Sequence, residues 1–132
     1  MYRLYNQNSG EHVYTANVFE RESVAAAGWI YEGVAWVSPA ISGEPVYRLY
    51  NANAGDHHYT ISAGERDTLV AVGWTYEGVG WLSDSRQGTA VYRQYNPNAL
   101  TGAHNFTTSQ NENLSLCKLG WRGEGVAWYG LK

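Results

Sequence analysis

The pentapeptide YRLYN at residues 2–6 decides the fold, because it returns as YRLYN at residues 47–51 and as YRQYN at residues 92–96. Two further blocks keep the same order in each copy. They are GxHx(Y/F)T, starting at Gly10, Gly55 and Gly102, and GWx(Y/G)EGV(A/G)W, starting at Gly28, Gly73 and Gly120. Three ordered blocks at matched offsets indicate three copies of one unit.

The repeats fit within one domain. A chain of 132 residues is the usual size of a single domain. We predict one domain, residues 1–132, with repeats at about 1–44, 45–90 and 91–132. The third repeat carries a two-residue insertion around Leu100 and Thr101.

Each unit begins with a predicted β-hairpin and ends with a predicted strand. The YRLY segment is β-prone, the Asn- and Gly-rich stretch after it favours a turn, and HxYT resumes strand character. The closing segment, 29–37 in the first unit, is strand-like but interrupted by a glycine that predicts a bulge. The glycines at this position are Gly33, Gly78 and Gly125.

A short helix is predicted between hairpin and final strand. Its start is a capping-box spacing, in which a cap side chain and the acidic residue three positions later satisfy free backbone N–H groups. A following Gly ends the helix. The caps are Asn17 with Glu20, Ser62 with Glu65, and Ser109 with Glu112. The expected buried stripe is Val24 with Ala27, Leu69 with Val72, and Leu116 with Leu119.

Such a unit is too small to bury its own aromatic face, so the three must share a core. Closure around a common axis would also remove exposed sheet edges. We predict a β-rich α+β fold, a closed pseudo-threefold ring of three β-hairpin–short helix–β units. A β-trefoil-like arrangement is the obvious precedent, but trefoil units lack an obligate helix. A three-bladed propeller-like ring with peripheral helices therefore remains open beside it.

Composition excludes several functional classes. A net charge of −3 with 16% charged residues provides no basic field for nucleic acid. No run of about 20 apolar residues could span a membrane. The single Cys117 rules out an internal disulfide framework. The N-terminal residues do not resemble a signal peptide, so we expect a secreted form to be a mature fragment or to have been cut from a larger protein.

Several polar residues recur in all three units. The pairs Arg3 with Glu32, Arg48 with Glu77, and Arg93 with Glu124 are expected to be structural ion pairs. The repeated His12, His57 and His104 are expected to hydrogen-bond within their hairpins, although a His₃ metal site on the axis is an alternative. We expect His58, which has no counterpart, at the surface, and we predict no metal and no cofactor.

The aromatic residues suggest a binding surface. The chain contains 11 Tyr and 6 Trp, and we expect Trp29, Trp74 and Trp121 in the core. The other aromatic set lies near unit boundaries, where it either packs between units or stacks on sugar rings. The candidate ligand-binding residues are Tyr14, Tyr59, Phe106, Trp36, Trp81, Trp128, His12, His57, His104, Glu32, Glu77 and Glu124.

The repeat pattern VYRLYNxNxGxHxYT, followed by ERDxLVAxGWxYEGxAW, resembles a tandem-repeat family of unknown function. Members of that family are attached to secreted bacterial cell-wall hydrolases, peptidases and some fungal extracellular proteins. The resemblance covers nearly the whole chain and is best at 46–81. It implies an extracellular or cell-wall-associated accessory module. The third copy departs from the pattern at Phe106, Asn113 and Gly123.

The sequence thus predicts a non-catalytic, multivalent carbohydrate-binding module for cell-surface polysaccharide or peptidoglycan-type glycan. Threefold repetition gives every His and Glu nearly the same environment, whereas acid–base catalysis needs groups in distinct environments. The alternative is a protein-interaction or structural repeat module without a glycan ligand.

Overall fold

A computed structural model describes residues 1–99 and 103–132. The predicted insertion at Leu100 and Thr101, and Gly102 beside it, lie outside the described residues. The order β–β–α–β occurs three times. The first unit contains β1 (Tyr2–Tyr5), β2 (His12–Thr15), α1 (Val18–Ala26) and β3 (Ile30–Val34). The second contains β4 (Glu44–Asn51), β5 (Asp56–Thr60), α2 (Ala63–Ala71) and β6 (Thr75–Ser83). The third contains β7 (Thr89–Tyr95), β8 (His104–Thr107), α3 (Gln110–Lys118) and β9 (Arg122–Gly130).

Each unit forms its own three-stranded antiparallel sheet, with the first strand in the centre. The predicted glycine bulge is present. In the second unit Arg48 pairs with Gly78 while Leu49 pairs with Tyr76, which leaves Glu77 as the extra residue. Gly78 has a φ of +98°, a conformation that L side chains rarely adopt. The bulge leaves the Glu77 carboxylate within hydrogen-bond distance of the Arg48 side chain.

The helix starts follow the predicted caps, with one difference. Asn17 Oδ1 accepts from the N–H groups of Phe19 and Glu20, at 2.8 and 3.1 Å. The cap's own N–H donates to Thr15 Oγ1 at 3.1 Å and does not need the Glu20 carboxylate. The capping box is therefore only half formed, and Glu20 instead accepts from Arg48 of the next unit. The expectation that this glutamate serves only as a cap was wrong.

The helix ends are as predicted, but the buried stripe is not. Gly28 has a φ of +106°, and the Trp29 N–H donates to the Val24 carbonyl at 3.3 Å, which is the Schellman arrangement. Val24, like Leu69 and Leu116, is half-buried. The second members of the stripe occupy the C-cap and are exposed. They are Ala27, Val72 and Leu119.

The centre of the molecule is an aromatic prism of six buried rings, two from each unit. One triangle consists of Trp36, Trp81 and Trp128, with ring centroids 5.4–5.8 Å apart. The other triangle packs against the tryptophans. Its own three rings lie 5.6–5.9 Å from one another, centroid to centroid. Its members are Tyr14, Tyr59 and Phe106. Each ring therefore contacts rings of both other units, and the three units share one core.

Tyrosine hydroxyl groups reinforce this core. The Tyr59 hydroxyl accepts from the Tyr14 N–H at 3.2 Å, and the Tyr14 hydroxyl accepts from the Phe106 N–H at 2.9 Å. Both N–H groups belong to edge strands, so a neighbouring unit satisfies a donor that would otherwise be unpaired. Burial raises the pKa of Tyr14 and Tyr59 well above the usual value, which keeps both hydroxyls protonated. Phe106 cannot continue the series because it lacks a hydroxyl.

Replacing Trp81 with alanine should destabilise the whole domain. The side chain is 6% exposed and contacts Trp36, Tyr59 and Trp128, so truncation leaves a cavity shared by all three units. We expect a loss of about 3–5 kcal/mol in unfolding free energy, measured by urea denaturation. The matched control is Trp74→Ala, which removes a half-buried indole from the same unit and should cost less. An equal loss for both variants would contradict this core assignment.

Candidate functional site

Two clefts open between neighbouring units, at equivalent places. One side of each cleft comes from the helix of one unit and the tryptophan that follows it. The other side comes from a tyrosine and a histidine of the next unit. We call them the 3/1 cleft and the 2/3 cleft after the units that form them; the equivalent place between the first and second units is the 1/2 boundary.

The 3/1 cleft has a volume of about 480 Å³. The third unit contributes Leu116 and Trp121, and the first contributes Tyr5, His12 and Glu32. The His12 ring lies 4.8 Å from the Tyr5 ring, centroid to centroid. This cleft combines flat aromatic surface with a few polar atoms, which is the usual composition of a small-molecule site.

The 2/3 cleft is smaller, at about 310 Å³, and is lined by Leu69, Trp74, Tyr95 and His104 among others. His58 also lines it, although it was expected at the surface. The side chain is 4% exposed, and its Nε2 donates to Glu65 Oε1 at 2.9 Å. The position tolerates burial because this carboxylate satisfies the imidazole N–H.

A charged network lies between neighbouring units, beside the clefts. The predicted pair is present: Arg3 Nε lies 2.9 Å from Glu32 Oε1. The same guanidinium also donates to Glu112 of the third unit at 2.8 Å. Each arginine thus joins the bulge glutamate of its own unit to the helix glutamate of the preceding unit. The equivalent sets are Arg48 with Glu77 and Glu20, and Arg93 with Glu124 and Glu65.

These surroundings determine the charge of the cleft. Burial, with a smaller contribution from Arg3, lowers the pKa of His12 to about 4. Burial also lowers the pKa of His104 to about 3, helped by His58 and Arg93. A hydrogen bond from His58, together with one from Arg93, outweighs burial and holds the pKa of Glu65 far below its usual range. At neutral pH His12 and His104 are therefore neutral.

The structure rearranges the predicted site. The six boundary aromatics are buried in the prism, so the expectation that they line a ligand cleft was wrong. Packing between units, the alternative, takes their whole surface. His12, His104 and Glu32 do line the clefts, and Glu124 accepts from Arg93 beside one of them. The members of the buried set are Tyr14, Tyr59, Phe106, Trp36, Trp81 and Trp128. His57 and Glu77 belong to the second unit's network at the 1/2 boundary.

The tryptophans that sequence reasoning assigned to the core are half-buried at the periphery. Trp74 and Trp121 line the two clefts, and Trp29 is half-buried beside its own helix. The missed signal was the helix-ending glycine. The residue after it packs back on the last helical turn in a Schellman motif, which places it beside the helix and away from the axis.

No metal centre is formed within residues 1–99 and 103–132, where no group of three or more His, Cys, Asp or Glu side chains could hold an ion. The repeated histidines instead pack at a tilt against tyrosines of their own units, with centroid distances of 4.7–5.1 Å. In the same ranges, no helix is long and apolar enough to cross a membrane.

A family model described as "Domain of unknown function (DUF5648)" matches residues 1–131. The chain belongs to this family. No curated protein and no solved structure matches the chain. Membership in DUF5648 confirms that the chain is a domain of a family of unknown function; the association with cell-wall hydrolases remains a prediction.

The depressed histidine pKa values predict acid sensitivity. Protonation of His12 or His104 favours the unfolded chain, in which an imidazole titrates near pH 6.5. Stability should therefore fall as the pH drops below about 6.5, by roughly 1–2 kcal/mol per histidine at pH 5. Below about 4.5 the carboxylates Glu20, Glu65 and Glu112, whose pKa values are lowered, lose their contribution as well.

Urea denaturation at pH 7 and pH 5 measures this effect. The double variant His12→Gln/His104→Gln should show a smaller difference between the two pH values than the unchanged domain. A domain that is equally stable at both pH values, or more stable at pH 5, would contradict the assignment of two buried neutral imidazoles.

Proposed function

We propose that this DUF5648 domain is a non-catalytic module that binds glycan in the clefts between its units. The proposed ligand is a cell-surface polysaccharide or peptidoglycan-type glycan. The observation that carries the proposal is the pairing, in two equivalent clefts, of a half-buried tryptophan with a histidine that packs against a tyrosine. The pairs are Trp121 facing His12 and Tyr5, and Trp74 facing His104 and Tyr95.

The chemistry of the clefts suits neutral sugars. The apolar face of a pyranose ring packs on a flat indole, and its hydroxyls need partners that both donate and accept. A neutral imidazole offers one donor and one acceptor, and the pKa values of His12 and His104 keep both rings neutral at pH 7. Glu32 adds a carboxylate acceptor to the 3/1 cleft.

The proposal includes a closed, pseudo-threefold arrangement that repeats the cleft and gives avidity. Its support is contact between all pairs of units. Arg48 joins the first and second units, Arg93 the second and third, and Arg3 the third and first. The Leu131 N–H also donates to the Val37 carbonyl at 2.7 Å, which links the last unit to the first.

A binding role also agrees with the electrostatics of the charged network. General-acid catalysis at neutral pH needs a carboxyl group with a raised pKa. The shifted carboxyl groups beside the clefts, those of Glu65 and Glu112, have lowered pKa values and are held ionised by arginines. We further propose that the domain acts outside the cell, as an accessory part of a larger secreted protein.

One observation favours the alternative, a structural or protein-interaction module. The six aromatic residues of the prism are buried and cannot contact a ligand. They include three of the chain's six tryptophans. The two roles differ in what the other three tryptophans do. Under the glycan proposal, a bound sugar changes the fluorescence of Trp74 and Trp121 and shields them from acrylamide. Under the alternative, sugars leave the fluorescence unchanged.

Retention on purified bacterial cell walls, followed by a glycan array, tests the proposed function. The double variant Trp74→Ala/Trp121→Ala should lose at least tenfold in retention while unfolding cooperatively, because stacking surface is removed from both clefts. The matched control is Tyr76→Ala, which removes an aromatic ring that is 40% exposed on another face. Failure of the unchanged domain to bind either walls or arrayed glycans would sink the proposal.

A further inference from the structure

The three unit boundaries are not chemically equal. The residue between Gly and His in the GxHx(Y/F)T block is Glu11 in the first unit, Asp56 in the second and Ala103 in the third. Glu11 contacts His57 of the second unit, whereas Asp56 and Ala103 both line the 2/3 cleft. The carboxylate side chain thus becomes shorter by one methylene from the first unit to the second, and it is missing from the third.

At the 1/2 boundary the carboxylate is fully used by the protein. Glu11 is 3% exposed, and its Oε2 lies 2.7 Å from His57 Nδ1 and 2.9 Å from the His57 backbone nitrogen. Because a carboxylate at this distance accepts, the His57 proton is on Nδ1. The other ring nitrogen lies 3.5 Å from Arg48, which donates, and 3.6 Å from Glu77.

At the 3/1 cleft the histidine has the opposite arrangement. His12 Nε2 lies 3.2 Å from Glu32 Oε1, so the proton of this neutral ring is on Nε2. Nδ1 is then an acceptor. It is buried, and it has no hydrogen-bond partner among the described residues. The third unit has Ala103 where the first has Glu11, so it supplies no carboxylate that could pair with this ring as Glu11 pairs with His57.

Cleft size follows the same order. The 2/3 cleft, where Asp56 is part of the lining, has a volume of about 310 Å³. The 3/1 cleft, whose lining includes no carboxylate from the third unit, has about 480 Å³. An unpaired buried acceptor destabilises the fold. A ligand that donates to it in the larger of the two clefts removes that cost.

We propose that the 3/1 cleft is the principal sugar site, that a ligand hydroxyl or amide N–H donates to His12 Nδ1 there, and that Glu11 closes the 1/2 boundary. The inference rests on the proposed function and deepens it. The residue between Gly and His in the GxHx(Y/F)T block of each unit determines which boundaries accept ligand. The domain therefore has fewer sites than units, and its ligand is neutral and rich in hydroxyl groups.

The test combines nitrogen NMR of the histidine rings with calorimetric titration of chitotetraose, a neutral N-acetylglucosamine oligomer. Without ligand, His12 should show the Nε2–H tautomer and His57 the Nδ1–H tautomer. Chitotetraose should shift the His12 Nδ1 resonance in the direction of an accepted hydrogen bond. Ala103→Glu should convert His12 to the Nδ1–H tautomer and weaken binding tenfold or more.

Two further variants control the experiment. Asn53→Glu makes the same charge change at an exposed turn and should leave binding and tautomers unaltered. Glu11→Ala should open the 1/2 boundary and increase the number of bound sugars by one. Thermal unfolding confirms that each variant is folded, and the tautomer of His12 in Ala103→Glu shows directly whether the new carboxylate reaches the ring.

The outcomes separate the inference from the function beneath it. Binding of chitotetraose that is unchanged in Ala103→Glu, or a His12 ring in the Nδ1–H tautomer, overturns the inference and leaves glycan binding intact. An unchanged domain that binds no chitotetraose, cell wall or arrayed glycan overturns both.

Discussion

The packing of six aromatic rings from three units is the interaction on which the rest of the structure depends. Within the described residues, none in α1, α2 or α3 is fully buried, and each sheet has only three strands, so a single unit has little core of its own. The aromatic prism supplies the missing apolar burial. Burying an aromatic side chain of this size stabilises a fold by roughly 1.5–3 kcal/mol, which makes six such rings the dominant contribution in a small domain.

The prism also explains why the clefts lie where they do. The units meet through the buried rings, and the two clefts lie outside those rings, between the helix and tryptophan of one unit and the tyrosine and histidine of the next. The arginine network fixes the spacing across it, since each guanidinium binds a carboxylate on both sides. Hydrogen bonds to charged groups contribute about 1.5–3 kcal/mol when partly buried. The same contacts that hold neighbouring units together therefore shape the site between them.

Much of the fold could be predicted from the repeats, because equivalent blocks must adopt equivalent structure. The hairpins, the N-caps, the helix-ending Gly28 and the bulge at Gly78 all follow from local backbone preferences. The roles of the tryptophans could not be separated in this way. Trp29 and Trp36 have the same side chain, and only the three-dimensional arrangement brings one to the axis and leaves the other beside a helix. Glu20 accepts a hydrogen bond from Arg48 of the next unit and none from its own cap residue. Local sequence does not encode such a contact between units.

The most direct test of the shared core is native-state hydrogen exchange on the central strands β1, β4 and β7. If the three units depend on one aromatic prism, their slowest amides exchange only through global unfolding, with a single opening free energy equal to that from denaturation. Three distinct opening free energies, one for each sheet, would show that the units fold separately and would contradict the account.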